Sequence, residues 1–410
     1  MENDKQVSGA EAGQAFHFGV GTFGVWDFSG APMPYFDHNA TTPLTAVARE
    51  TWLRAQDEAW QNPSSPYRAA AQVKIRLEAA REKFAILLGD EAERYVFTSG
   101  ATEAANAVIG WWAKTLPADA LIAVNPTEHP CVLEPVKRHF EGRIKWLKVS
   151  SEGVVDLNDM KVCHLLSDKL DRVAAALVMA ANNETGVVQP WNEIAGACAE
   201  AGVSYLCDAS QWLGKLPAGG VGGNGFVIAA GHKFGGPKGT GLLKLAPQSE
   251  GLRAQLGGGQ ERGQRGGTED FPGIAAMGAA LAEAEQKKVF LETERLVWRG
   301  EFERAVVVAV PGTRVIGAGA DRLWNTVSLV MPFADNTRWV TRLDKRGFQV
   351  STGSACATGK GGPSHVLAAM GFDAETAKRV VRVSSGWETT REDWQALAAA
   401  FEAVAGELRV

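Results

Sequence analysis

The stretch 226–243, FVIAAGHKFGGPKGTGLL, carries the amine best placed to do chemistry. Phe226, Val227, Ile228 and Ala229 form a short apolar run suited to a fully buried strand. The chain leaves that strand at Gly231, and His232 and Lys233 follow. The next six residues contain three glycines and one proline, so the backbone turns sharply. An ammonium stripped of water in such a place loses basicity. Lys233 is therefore a candidate for Schiff-base formation with an aldehyde such as pyridoxal phosphate (PLP). Lys238, inside the glycine turn, is the weaker candidate. Taken alone the signal is modest, because most lysines beside glycine turns are only solvated.

Other polar clusters follow other apolar runs. Thr98-Ser99-Gly100 closes a strand expected at 95–98, and Glu128-His129 follows one at 121–124. Asn182-Asn183-Glu184 follows 174–179, and Asp208-Ala209-Ser210-Gln211 follows 205–207. A further strand is expected at 144–149, with helices at 45–60, 69–88, 102–112 and 192–201. Apolar strands alternating with helices imply an α/β fold with a parallel sheet covered on both faces. Ligands gather at the carboxyl ends of such strands, so five polar clusters there suggest one site. Thr98–Thr102 would open a helix whose free N–H groups suit a phosphate, although capping alone explains such residues. Asp208 could accept from a protonated pyridine nitrogen, or simply cap the next turn. Gln211 is one turn further and could reach a phenolic oxygen. His129 precedes Pro130 and is held extended, where an imidazole could stack on a ring and move protons.

The glycine-rich stretch 257–270 excludes a helix or central strand. Beyond it, a partly broken helix at 272–300 leads to a second block. There strands are expected at 306–310, 315–316, 327–330 and 349–350, and helices at 337–346 and 394–408. The expected organisation is an extension (1–33), a large α/β domain (34–285) and a small α+β domain (286–410).

A net charge of −5 gives no footprint for nucleic acid or an anionic membrane. No apolar run reaches the roughly 18–20 residues of a membrane span, and no basic segment leads into an apolar core. A cytoplasmic location is expected. The five cysteines show no C-x-x-C spacing, against a disulfide framework or a zinc site, so no metal is expected.

Taken together, these segments resemble the cysteine desulfurases, class V members of the fold-type-I PLP enzymes, and most of all the NifS/IscS branch. The matching stretches include YFDHNATTPL (35–44), NPSS (62–65), FTSGATEAAN (97–106), TEHPCVLEP (127–135) and NNETGVVQP (182–190). They continue through CDASQWLGKLP (207–217), GHKFGGPKGTG (231–241), GGGQERGQRGGTED (257–270), STGSACATG (351–359) and PSHVLAAMG (363–371). The match runs from residue 35 to at least Arg382; the first 33 residues lie outside it.

The resemblance implies a mostly parallel seven-stranded sheet and a smaller α+β domain. It implies that Lys233 binds PLP covalently and moves the substrate α-proton, that Asp208 pairs with the ring nitrogen and Gln211 with the ring oxygen, and that His129 stacks on the ring. Ala101, Thr102 and His232 contact the phosphate, and Thr268 reaches that of a partner subunit in a homodimer. Asn183, Arg382 and Asn39 hold the substrate, L-cysteine, and Asn183 also contacts the cofactor. Cys356 takes the sulfur as a persulfide, releases alanine, and passes the sulfur to an acceptor protein. A selenocysteine lyase, another class V aminotransferase or lyase, or a non-catalytic sulfur-transfer scaffold remain alternatives. Two positions depart from the family pattern. Ala230 replaces the usual phosphate-binding serine two residues before His232-Lys233, and Pro66-Tyr67 follows NPSS where a histidine is common.

Overall fold

The apolar runs pair into one seven-stranded sheet. The computed structural model describes residues 34–158, 173–353 and 364–409. The strands are β1 (Tyr95–Thr98), β2 (Leu121–Val124), β3 (Ile144–Trp146), β4 (Val173–Leu177), β5 (Ser204–Asp208), β6 (Phe226–Ala230) and β7 (Gly241–Lys244). Their order across the sheet is β1-β7-β6-β5-β4-β2-β3. β7 runs antiparallel to β1 and β6, and every other pairing is parallel.

Helices α1 (Ala46–Glu58), α2 (Arg68–Leu88), α3 (Ala101–Thr115), α4 (Pro130–His139), α5 (Trp191–Ala201) and α6 (Phe271–Ala309) surround this sheet. Successive side chains of a strand point to opposite faces. Ile122, Val124, Leu206, Phe226 and Ile228 accordingly pack with Val108 and Trp112 of α3 and Val136 of α4. Ala123, Tyr205, Cys207, Val227 and Ala229 belong to the other face, with Phe84 of α2, Ile194 of α5 and Met277 of α6. Burial on both faces is why these strands read as unbroken apolar runs.

The second sheet is antiparallel, in the order β10-β9-β8: β8 (Arg314–Val315), β9 (Thr326–Val330) and β10 (Val380–Ser384). Helices α7 (Asn336–Lys345), α8 (His365–Ala369), α9 (Ala374–Ala377) and α10 (Arg391–Leu408) accompany it. Phe302, Val327, Leu329, Trp339, Val383 and Phe401 form its main core. The segment entering at Pro34 is stitched along this sheet, with His38 N–H on Ser384 O at 3.0 Å and Ser384 N–H on Phe36 O at 2.8 Å.

Two expectations fail in this half. The partly broken helix expected at 272–300 and all but the last residue of the strand expected at 306–310 belong to one continuous helix, α6, of 39 residues, with Val310 as its C-cap. Val306 is fully buried beside Phe302 whereas Val308 is 79% exposed. That one-sided burial suits a helix and outweighs the β-propensity of Val-Val-Val-Ala-Val. The same helix passes through the expected division at 285/286. Residues 349–350 contribute a bridge to Tyr35 rather than a strand of their own.

The glycine-rich segment after β7 is pinned by a buried ion pair. Arg81 of α2 donates to both carboxylate oxygens of Glu261, at 2.7 and 2.8 Å, and to Tyr95 O at 2.6 Å. Phe97 N–H donates to Glu261 as well, at 2.8 Å. Glu261 and Arg262 take positive φ angles of 45° and 56°, a backbone cost that this pairing offsets. Removing one partner leaves a buried, uncompensated charge. Arg81→Met should therefore lower the unfolding free energy by about 3–5 kcal/mol in urea denaturation. A change within the error of the wild-type curve would show that the pair contributes nothing.

Candidate active site

β1, β2, β4, β5 and β6 all point the same way, so the polar clusters that follow them share one edge of the sheet. At the end of β6 the chain makes one turn of 3-10 helix, Gly231–Lys233, which turns the lysine off the sheet. Lys233 Nζ donates to the carbonyls of Asn39 and Ala40, both at 2.8 Å. The loop from Asn39 also holds the turn from outside, with Thr42 N–H on His232 O at 2.8 Å and Thr42 Oγ1 on Lys233 O at 3.2 Å. His232 Nδ1 meets Thr41 Oγ1 at 3.1 Å, and burial with the Lys233, Lys238 and Lys215 charges takes its imidazole down to about 4.

His129 is extended (φ −66°, ψ 149°), as its position before Pro130 demands, and caps α4. Its Nδ1 accepts from Cys131 N–H at 3.1 Å, so the neutral ring carries its proton on Nε2. Burial first, then Lys233 and His365, pushes this imidazole below its ordinary range, against the pull of Asp208. Asp208 is buried at the end of β5. Its Oδ1 takes Ser210 N–H at 2.8 Å, while Oδ2 has the Cys131 thiol at 3.9 Å. Gln211 is buried; its Nε2 donates to Asn39 O at 2.9 Å and its Oε1 accepts from Lys215 Nζ at 2.9 Å.

Asn39 joins this group to the second sheet. Its Nδ2 donates to Asn183 O at 3.1 Å and Thr326 Oγ1 at 2.9 Å. Arg382, from the middle of β10, also reaches Asn183 O at 3.0 Å, and Gly353 O at 3.0 Å. Its second terminal nitrogen pairs with Asp37 at 2.5 Å. Among the described residues Arg382 Nε is buried without a partner, a donor left over on a charged fork.

Ala101 and Thr102 open α3 behind Gly100, whose φ of 154° and ψ of 174° belong to a region open essentially to glycine. Ala101 is buried and Thr102 exposed. Ala230 lies with Ala101 and Ala104 in the apolar cluster under α3. Thr268 is exposed on the segment that Glu261 anchors. Cys356 and the extension 1–33 lie outside the described residues.

Three further buried groups lie at this edge, of which the sequence placed Glu128 in a polar cluster without a role and left Lys215 and His38 unassigned. Glu128 accepts Met179 N–H, and burial with the Asp208 charge raises its carboxyl well above the ordinary range. Lys215 is fully buried, and its amine is held down to about 7 by burial and then by Lys233 and Arg382. His38 is 9% exposed and its Nδ1 has no partner among the described residues. For Lys215 a signal existed: it stands four residues after Gln211, one turn on.

Burial, with the Lys215 charge adding, takes the His38 imidazole from 6.5 down to about 3. Between those values the unfolded chain binds a proton that the folded chain refuses, so stability is full above 6.5 and lost as the pH falls. Relative to His38→Phe, the wild type should lose about 1.4 kcal/mol per pH unit over that interval. Parallel urea titrations from about pH 7 to 4.5 would contradict this by giving a pH-independent difference.

Comparison with known proteins accords with this geometry. The class-V aminotransferase family matches residues 34–397. The chain is 34% identical over 385 residues to a cysteine desulfurase IscS of Dictyoglomus turgidum, covering 92% of this chain and 95% of that one. Among solved structures, a NifS-like protein superposes with a TM-score of 0.82 at 29% identity, covering 92% of this chain and 100% of the other. A structure of SspA in complex with cysteine superposes with a TM-score of 0.72 at 28% identity, covering 86% and 98%. The chain therefore belongs to the class-V aminotransferase family.

Proposed function

We propose that this chain is a PLP-dependent cysteine desulfurase, which removes sulfur from L-cysteine to leave alanine and a persulfide on Cys356. The observation that carries the reading is the meeting of Lys233, His129, Asp208 and Gln211 at one sheet edge, in a chain that also has a cysteine at 356. The donor set suits PLP. Lys233 supplies the amine for its aldehyde. Asp208 has one oxygen not taken by a backbone N–H, which suits a protonated ring nitrogen. Gly100 and the first turn of α3, which Ala101 and Thr102 open, supply N–H groups for a phosphate, and His232 would add a contact to it. Ala230 supplies no hydroxyl there, which costs about 1.5–3 kcal/mol of cofactor binding relative to a serine.

When bound, PLP supplies an electron sink that makes the Cα proton acidic and the Cβ–S bond labile. Lys233 takes the α-proton and returns it. Asp208, buried at the end of β5, would pair with the protonated ring nitrogen. His129, neutral with its proton on Nε2, covers the ring and donates where a proton is needed. Arg382 would hold the substrate carboxylate, beside Asn183 and Asn39, in exchange for contacts its terminal nitrogens now make with Asp37 and with the Asn183 and Gly353 carbonyls. Cys356 attacks the substrate sulfur as a thiolate, the form that is nucleophilic; the new S–S bond makes that sulfur the outer atom of the persulfide, and the electron pair of the broken Cβ–S bond stays with Cβ, which takes a proton to become the methyl group of alanine. An acceptor protein then takes that sulfur, for iron–sulfur cluster assembly or a related pathway, from a cytoplasmic homodimer in which Thr268 reaches the partner's cofactor phosphate. The chain works as two domains, 34–285 and 286–410, with α6 running from one into the other.

Holoprotein given L-cysteine and a thiol reductant should release sulfide and alanine in equal amounts. Cys356→Ala should lose at least about a hundredfold in sulfide release while keeping the visible cofactor band, and Lys233→Ala should lose both. Full sulfide release by Cys356→Ala would refute the persulfide step, and selenide release from selenocysteine independent of Cys356 would point to a selenocysteine lyase.

A further inference from the structure

The Lys215 amine is an unusual thing to bury. It is 4% exposed, and no carboxylate among the described residues pairs with it. Its neighbours in charge are Lys233 and Arg382, both cations, and His38, which it helps to keep neutral. Among the described residues its amine has one hydrogen-bond acceptor, Gln211 Oε1 at 2.9 Å. Burying an amine that has one acceptor and no counter-ion among the described residues is costly, so a purely structural role would be filled better by methionine or leucine of similar length.

What the amine does is settle the orientation of an amide. A glutamine side chain has one accepting and one donating end of nearly equal size. Lys215 donates to the oxygen, and the opposite NH2 group faces Asn39 O at 2.9 Å, the same carbonyl that takes Lys233 Nζ at 2.8 Å. We propose that Lys215 is a positioning residue, whose buried amine holds the Gln211 oxygen so that Gln211 turns its NH2 donor towards Lys233 and the phenolic oxygen of bound PLP. The proposal rests on the functional reading above. A donor on that oxygen favours its anionic form and competes with the proton shared with the lysine nitrogen. Losing it, or letting the amide turn over, raises the pH at which the lysine–cofactor chromophore gives up its proton.

The test is a pH titration of the visible band in wild-type holoprotein, Lys215→Met, Gln211→Ala and the double variant. Each single variant should raise the midpoint by roughly one pH unit. In the Gln211→Ala background, Lys215→Met should add little, because the group it acts through is gone. An unchanged midpoint in Lys215→Met, or an equal shift in both backgrounds as from charge alone, overturns the proposal. Should Lys215→Met fail to fold, Lys215→Arg retains a donor, so its midpoint must stay near wild type while that of Gln211→Ala moves; equal movement of both overturns it. Absence of the band from wild type incubated with PLP is a separate outcome that refutes the functional reading, and the proposal with it.

Discussion

One backbone carbonyl, that of Asn39, accepts from two side-chain nitrogens, an amine and an amide, that follow different strands. Lys233 from the end of β6 and Gln211 from beyond β5 both donate to it, at 2.8 and 2.9 Å. The same residue's side chain binds Asn183 O and Thr326 from two further segments, and its N–H binds Ser384 Oγ of β10. Asn39 is 1% exposed, so each of these groups must find its partner inside the protein. That requirement ties the large sheet, the small sheet and the entering chain to one point. The reactive groups then occupy definite places without lying on one rigid element.

The charge at this point is lopsided. Lys233, Lys215 and Arg382 crowd within one buried region, and the two histidines beside them are driven neutral, to about 3 and about 4. Such a field repels further protons and attracts anions. A phosphate and a substrate carboxylate are the ligands it would welcome. Asp208 and Asp37 keep the balance local, the first beside the His129 turn and the second on the Arg382 fork. Glu128 has its carboxyl raised well above the ordinary range by burial and then by Asp208.

Support for the edge comes from distant contacts. The Arg81–Glu261 pair lies on the far side of β1 from the lysine turn, yet it sets the path of the whole glycine-rich segment before α6. Close backbone approach does the same for β7: a side chain at Gly241 would put its first carbon 2.3 Å from Gly100 Cα. The phosphate-facing turn and the strand that backs it are thus held together by the lack of a side chain.

Local pattern alone determined a good deal. Runs of buried β-branched and small residues marked six strands of the large sheet, because a strand covered on both faces must be apolar throughout, whereas β7, opening at Gly241 straight from the glycine turn, was not read as a strand. The polar residues closing those runs marked the site, because a parallel sheet brings its carboxyl ends together. Lys233, His129, Asp208 and Gln211 were legible for that reason, and the family resemblance added Arg382 and Asn39. Tertiary structure decided what depends on packing partners. Val306–Val310 has the composition of a strand, yet the first of these residues lies on the buried face of α6. Arg382 interrupts an apolar run, yet it is buried at the centre of β10 because Asp37, Asn183 and Gly353 satisfy it there. Lys215 reads as an ordinary surface lysine until the fold removes its water and leaves it one amide oxygen. Periodicity records which side chains must avoid water, whereas the partner of a buried charge is chosen by segments far away in the chain.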